Sequence, residues 1–418
     1  MSQRLHMRPL EDLNYADKRV LVRVDINSPL DPKTHRILNA NRIEKSVPTL
    51  SHLLDNGAAL GILAHQGDTL NYRDLVPLEE HAGVLSGLLG REVGYIDDVA
   101  GPAAVEAVKA LGPGQAVLLG NVRYLTEEVS SFENAVTLKP SEMLDCYLVR
   151  RLAPLFDIYV NDAFAAAHRN APSMVAFQEV LPSAAGRLLF DEVAALRKVM
   201  EGPARPAVFL LGGLKISDAF SMMLKVLETG AADTILTCGV TGIIMLMARG
   251  ADVGEAMRTF ITDRSLDVFV EPARAYLRDY PGRIEVPTDL ACSVEGQRVE
   301  MAVADLPGTG IYPDIGGDTA ERYAKIIADA GTVFVNGPPG VYEDEAFAYG
   351  TRRLFEALRD TDAYTVVGGG DSVSAAARFI DLKDLGYVCT AGGAMVRFLS
   401  GIELPLLTAM QKAFDNNI

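Results

Sequence analysis

The residues able to do chemistry fall into two sets. Asp25 and Asn27 close the apolar run Val20-Leu-Val-Arg-Val24, and Pro29 stops it. His65 follows the run 60–64, Asn121 and Arg123 follow 116–119, and Asn161 and Asp162 follow 158–160. His168 and Arg169 lie a few residues further on, and Arg42 opens a helical stretch. Each alone also reads as a surface or capping residue. Together, after successive strands of one sheet, they suit a small phosphorylated acid, because arginine binds carboxylate and phosphate in a bidentate fork. The second set is rich in glycine. The run 208–211 leads into Gly212-Gly213-Leu-Lys215, 333–335 into Asn336-Gly-Pro338-Pro-Gly340, and 364–367 into Gly368-Gly369-Gly370-Asp371-Ser372. Such glycines expose backbone N–H groups, and helix starts favour phosphate. Lys215 adds a point charge for a nucleotide phosphate chain. Asp371 is a candidate magnesium ligand, since Mg²⁺ takes one or two carboxylates plus phosphate oxygens. Its competing role is a helix cap. Glu343 is a candidate acceptor for ribose hydroxyls. Gly239 opens a Gly-bounded apolar stretch, 239–250, and either lets a purine approach the backbone or serves ordinary packing.

The elements that position these residues follow from periodicity. Short apolar runs rich in β-branched residues read as strands buried on both faces. They alternate with amphipathic helical stretches at 41–56, 78–90, 100–111 and 349–358. This alternation predicts an α/β chain with two doubly wound, Rossmann-like parallel sheets covered by helices. Ligands then bind at the carboxyl ends of the strands. About five strands are expected before Pro182 and about six after Pro206. The stretch 183–200 reads as a connecting helix and hinge without a strand. The expected divisions are 1–182, 183–200, 201–403 and a tail, 404–418.

Composition narrows the class. A chain of 418 residues that is 49% apolar can fill two cores. Its formal charge of −16 argues against nucleic acid as the main partner. No run of eighteen uncharged apolar residues predicts a membrane span, and the N-terminus lacks a signal-peptide core. The four cysteines, Cys146, Cys238, Cys292 and Cys389, form no C-x-x-C pair. Three of them sit in or near apolar runs and are expected as buried small hydrophobes, and a reducing cytoplasm fits. There is no Walker A loop. Gly308-Thr-Gly310 does not continue as a dinucleotide fingerprint, which argues against a dehydrogenase.

In order and spacing, Arg23-Val-Asp-Ile-Asn-Ser-Pro29, Asn161-Asp-Ala-Phe164 with His168-Arg169, Gly212-Gly213 with Lys215, Asn336-Gly-Pro338 with Gly340, Gly368–Asp371 and Gly392-Gly-Ala394 resemble the phosphoglycerate kinase family. The resemblance covers nearly the whole chain. His65-Gln-Gly67, Asn14-Tyr15 and 287–289 are most similar to its archaeal branch. It implies reversible transfer of the acyl phosphate of 1,3-bisphosphoglycerate to MgADP, giving 3-phosphoglycerate and ATP. It implies that Asp25 and Asn27 contact the glycerate end. Arg42, His65, Arg123 and Arg169 then hold phosphate and carboxylate. Lys215 steadies the moving group, with Arg42 as its catalytic counterpart. Gly212, Gly213, Gly239, Asn336, Pro338, Gly340, Glu343 and Gly368–Ser372 hold the nucleotide, and Asp371 holds Mg²⁺. A monomer or homodimer is expected, with the tail returning to the N-terminal half and closure about 183–200 joining the half-sites. Three departures stand out: Asp68 where many members carry an arginine shortly after His-x-Gly, Ala219 where many carry a second lysine, and Pro339 where methionine is frequent. Arg73 is a possible substitute for the missing arginine. Asp68 motivates one alternative, a phosphotransferase with a different phospho-acid substrate. A nucleotide-binding protein without turnover is the other.

Overall fold

Strand β1, Arg19–Val24, buries every residue after Arg19. That is why its sequence runs apolar without alternation: both faces of a parallel strand are covered by helices. The structure, a computed structural model, describes residues 6–67, 72–308 and 310–417. β1 lies inside a six-stranded sheet with β2 (Ala59–Leu63), β3 (Val93–Tyr95), β4 (Ala116–Leu118), β5 (Ile158–Asp162) and β6 (Ser183–Ala185). The order is β3-β4-β2-β1-β5-β6 and every pairing is parallel. Helices at Asn41–Asp55, Glu79–Leu89 and Pro102–Lys109 lie where the amphipathic pattern placed them.

The second sheet contains β7 (Ala207–Leu211), β8 (Thr234–Thr237) and β9 (Ile284–Glu285). After them come β10 (Asp289–Val294), β11 (Gln297–Ala302) and β12 (Asp314–Ile315), which form a separate small antiparallel sheet. β13 (Thr332–Asn336), β14 (Tyr364–Gly368) and β15 (Tyr387–Val388) return to the large sheet, ordered β15-β14-β13-β7-β8-β9 and again all parallel. The small sheet is an addition to the two expected. Its turn, Glu295-Gly296, has φ of 52° and 79° at its two residues. A two-residue hairpin turn with both φ positive matches the twist of its strands.

The chain divides into two compact units. One runs to Val193 and resumes at Glu403; the other spans Ala194–Ile402. The helix Pro405–Asp415 belongs to the first unit, where Leu406 N donates to Ala167 O at 3.2 Å and Lys412 Nζ meets Glu179 at 2.7 Å. The stretch 183–200 corrects the expectation of helix alone. Ser183–Ala185 pairs with β5, and the helix spans Arg187–Glu201. Ser-Ala-Ala carries no β-branched or aromatic signal, so only the neighbouring strand makes it β.

Asp162, at the end of β5, is fully buried and accepts from Leu189 N at 3.1 Å, in the first turn of that helix. Burial pushes its carboxyl up to about 7. Between about pH 4 and pH 7 the folded chain therefore binds a proton that the unfolded chain has released, and stability falls as pH rises through that window. Asp162→Asn should flatten this dependence and raise the unfolding free energy at pH 8 by on the order of 1 kcal/mol or more, and the thermal midpoint with it. Thermal melts from pH 4 to pH 8 check it; a variant with the wild-type slope would show that Asp162 does not carry the proton.

Candidate active site

In the first unit the sheet order brings the ends of β4, β2, β1 and β5 side by side. The strand order reverses between β1 and β5, which is where open α/β sheets leave a crevice. Asp25 accepts from Arg42 Nη1 at 2.8 Å, from the first turn of the helix Asn41–Asp55. Asn27 Oδ1 accepts from Gly67 N at 3.0 Å. Gln66 exchanges two hydrogen bonds with the Ser28 backbone, at 2.8 and 3.0 Å. Asn121 accepts from Gln66 N and Arg123 N and donates to Gln66 O and Val76 O. These amide links lock three strand ends into one rim.

His65 is buried, and Arg23 Nη2 reaches its Nδ1 at 3.0 Å. Burial, then the guanidiniums of Arg23, Arg123, Arg42 and Arg169, push its imidazole well below the usual range, so it is neutral at pH 7. Four arginines thus converge on one histidine. Arg169 Nε meets Glu133 Oε2 at 3.0 Å, while its Nη2 is buried with no hydrogen-bond partner among the described residues. An unmet buried donor of this kind suits an anion. His168 is half-buried beside it. Arg73 sits exposed on the short turn Tyr72–Asp74. Asp68 lies outside the described residues.

In the second unit the strand order reverses between β7 and β13, and the two glycine loops meet there. Gly212 N donates to Asn336 O and Gly213 N to Pro338 O, each at 3.0 Å. Gly337 has φ +88°, and a Cβ on it would stand 2.1 Å from Gly212 O. Backbone touches backbone, so glycine is obligatory there. Gly369, with φ +86°, similarly sits 2.6 Å from Asn336 Oδ1 by its missing Cβ, whereas Gly370 faces open space at the start of the helix Gly370–Phe379. The cleft is lined by Gly212–Lys215, Asn336, Gly337 and Gly369–Ser372. Lys215 Nζ and Asp371 Oδ2 stand 3.9 Å apart in its mouth, each side chain 73% exposed.

Several expected residues serve the packing around this cleft. Ser372 is fully buried, and its hydroxyl accepts from Gly337 N at 2.7 Å, pinning one loop to the other. Gly368 is covered by Met395, and Gly239 lies against Gly213, where a Cβ would come within 2.8 Å of Gly213 N. Packing is therefore reason enough for glycine at both. Gly340 sits over the buried Asp314 carboxylate, which Arg298 of β11 holds at 2.8 Å. Burial pushes the Asp314 carboxyl up to about 6, against the opposing hydrogen bonds of Gly350 and Arg298. The small sheet thus props the Asn336–Gly340 loop. Glu343 is exposed and does not line the cleft.

The family description "phosphoglycerate kinase" matches residues 10–402. The chain belongs to the phosphoglycerate kinase family. It is 40% identical over 404 residues to the phosphoglycerate kinase of Methanothermus fervidus, covering 97% of each chain. It is 40% identical over 413 residues to that of Thermococcus kodakarensis, again covering 97% of each. The crystal structure of phosphoglycerate kinase from Pyrococcus horikoshii superposes with a TM-score of 0.88 at 36% identity, covering 98% of this chain and 100% of that one. The archaeal resemblance read from the residues is borne out, as are the two-sheet α/β fold and the class of enzyme, a phosphotransferase with a carboxyl acceptor. The two alternative functions are not favoured. In phosphoglycerate kinase terms, sequence reasoning left Arg23, Ser173 and Glu128 without roles, although all three are buried directly at the first-unit cluster. A mid-strand arginine inside an apolar run was the available signal. Ala219, the family's frequent second lysine position, is 1% exposed and faces the core.

Proposed function

We propose that the first unit holds the glycerate substrate and the second holds the adenine nucleotide, for reversible phosphoryl transfer between 1,3-bisphosphoglycerate and MgADP in the cytoplasm. The observation that carries this reading is the opposed chemistry of the two switch-point crevices: converging arginines at β1/β5, and paired glycine loops at β7/β13. The acceptor carboxylate ionises without help, so no strong base is needed. Arg42, Arg123, Arg169 and neutral His65 bind and orient the phospho-acid. Gly212, Gly213, Asn336, Pro338 and Gly369–Gly370 cradle the phosphate chain, with Gly340 and Glu343 toward the nucleoside. Lys215 stabilises charge on the group in transit, and Arg42 does so from the acid side. Rate enhancement then comes from positioning and charge stabilisation of a loose transition state.

Asp371 fits a magnesium ion. It is exposed at the phosphate-facing helix start, and among the described residues no cluster of three or more His, Cys, Asp or Glu could hold a metal. One carboxylate completed by phosphate oxygens and water is the usual magnesium arrangement. The bound ion would neutralise phosphate charge.

Asp371→Ala should weaken MgADP and MgATP binding roughly tenfold or more, and leave 3-phosphoglycerate binding nearly intact. Calorimetric titration of each ligand separately is the measurement. Equal loss for both would mean that the ligands are not divided between the units in this way.

A further inference from the structure

Beneath the first-unit cluster lies a buried chain of polar contacts. Glu128 is 3% exposed and Ser173 is fully buried. Ser173 N donates to Glu128 Oε1 and its hydroxyl donates to Glu128 Oε2, both at 2.6 Å. The Ser173 carbonyl accepts from Tyr159 Oη at 2.6 Å, so every polar group of Ser173 is held. Its Oγ accepts in turn from Arg23 Nε at 3.2 Å, and Arg23 Nη2 reaches His65 Nδ1 at 3.0 Å. A guanidinium only donates, so Nδ1 of His65 must accept, and the ring proton is on Nε2. Nε2 has no hydrogen-bond partner among the described residues.

We infer that Glu128 and Ser173 are positioning residues, which through Arg23 hold His65 in its Nε2–H tautomer so that the ring donates a hydrogen bond to the bound phospho-acid. Glu128, together with Asp25, supplies the negative charge that compensates the buried Arg23 guanidinium, with Glu128 the larger influence. Burial raises the Glu128 carboxyl from its ordinary range, while the Ser173 hydrogen bonds and Arg23 oppose that rise. The alternative tautomer would turn a lone pair toward an anionic ligand and repel it. A buried pair of this kind often costs stability compared with apolar residues. Here it sets the direction of one proton.

This inference rests on the assignment of the first-unit cluster to 3-phosphoglycerate. The test is nitrogen-15 NMR of the His65 ring in the full chain, alongside steady-state kinetics with 3-phosphoglycerate and MgATP. The wild type should show the Nε2–H pattern without substrate. Glu128→Gln, nearly isosteric, and Ser173→Ala should give mixed tautomers. They should raise the KM for 3-phosphoglycerate about tenfold, with the KM for MgATP unchanged. A wild-type Nδ1–H signal would overturn the inference without needing any variant. So would folded variants that keep the wild-type tautomer and both KM values, or variants in which both KM values rise together. A wild type that turns over MgATP with no 3-phosphoglycerate dependence would overturn the substrate assignment itself, which the tautomer measurement does not touch.

Discussion

Lys215→Ala is expected to lower turnover by about 10²–10³-fold, the size seen when one preorganised charge is removed from a transition state. Lys215 follows the paired glycines at the β7/β13 reversal, and its ammonium stands in the mouth of the glycine cleft. At 73% exposure it contributes little to the core, so the thermal midpoint should barely move. Its sole ion-pair neighbour among the described residues is Asp371, at the loose distance of 3.9 Å. With the family's frequent second lysine replaced by buried Ala219, no charge on the next helical turn takes over. Steady-state rates and melts on the same preparation check both halves. Near-normal turnover would remove Lys215 from the mechanism.

Arg42→Ala is expected to be nearly as damaging, and to act on the other substrate. The change removes a guanidinium from the rim and leaves Asp25, whose side chain is 4% exposed, without its partner at 2.8 Å. A buried carboxylate facing the crevice would then repel the substrate anion as well as lose an attraction. The kcat/KM for 3-phosphoglycerate should fall by about a hundredfold or more, since a charged contact is lost and a repulsion gained. The dissociation constant of MgATP should stay unchanged. Arg73→Ala, altering an exposed side chain of the Tyr72–Asp74 turn, serves as the comparison and should leave kcat/KM within about twofold. If Arg73→Ala did the greater harm, Arg73 rather than Arg42 would hold the phosphate.

The parts of the fold that were legible share one property: their burial is regular along the element, on both faces of a strand or on one stripe of a helix. β1 and β7 are covered on both faces, so β7 is an unbroken apolar run and β1, from Val20 to Val24, is apolar except at Arg23. The helix Asn41–Asp55 buries one stripe, Ile43, Leu50, Leu53 and Leu54, and so shows its period. Where pairing rather than composition makes the strand, nothing announces it. Ser183–Ala185 is a strand because β5 offers it a ladder. The hairpin of β10 and β11 did carry a signal, Glu295-Gly296, although its outer strand, β11, buries no residue fully.

Residue types and their order determined the α/β class, the glycine loops after β7, β13 and β14, the basic residues after β2, β4 and β5, and the family. Chain chemistry suffices for these, because a glycine run after a buried strand and an arginine near a strand end are local features. Which of those residues line a crevice and which are packed behind it was decided only by tertiary structure. Ser372 turned inward to pin Gly337, and Gly239 and Gly368 turned out to make room for Gly213 and Met395. Arg23 was placed under His65 by contacts that reach 150 residues along the chain to Ser173. A hydrogen bond between distant segments leaves no pattern in either segment, because its geometry exists only once both strands are in the sheet.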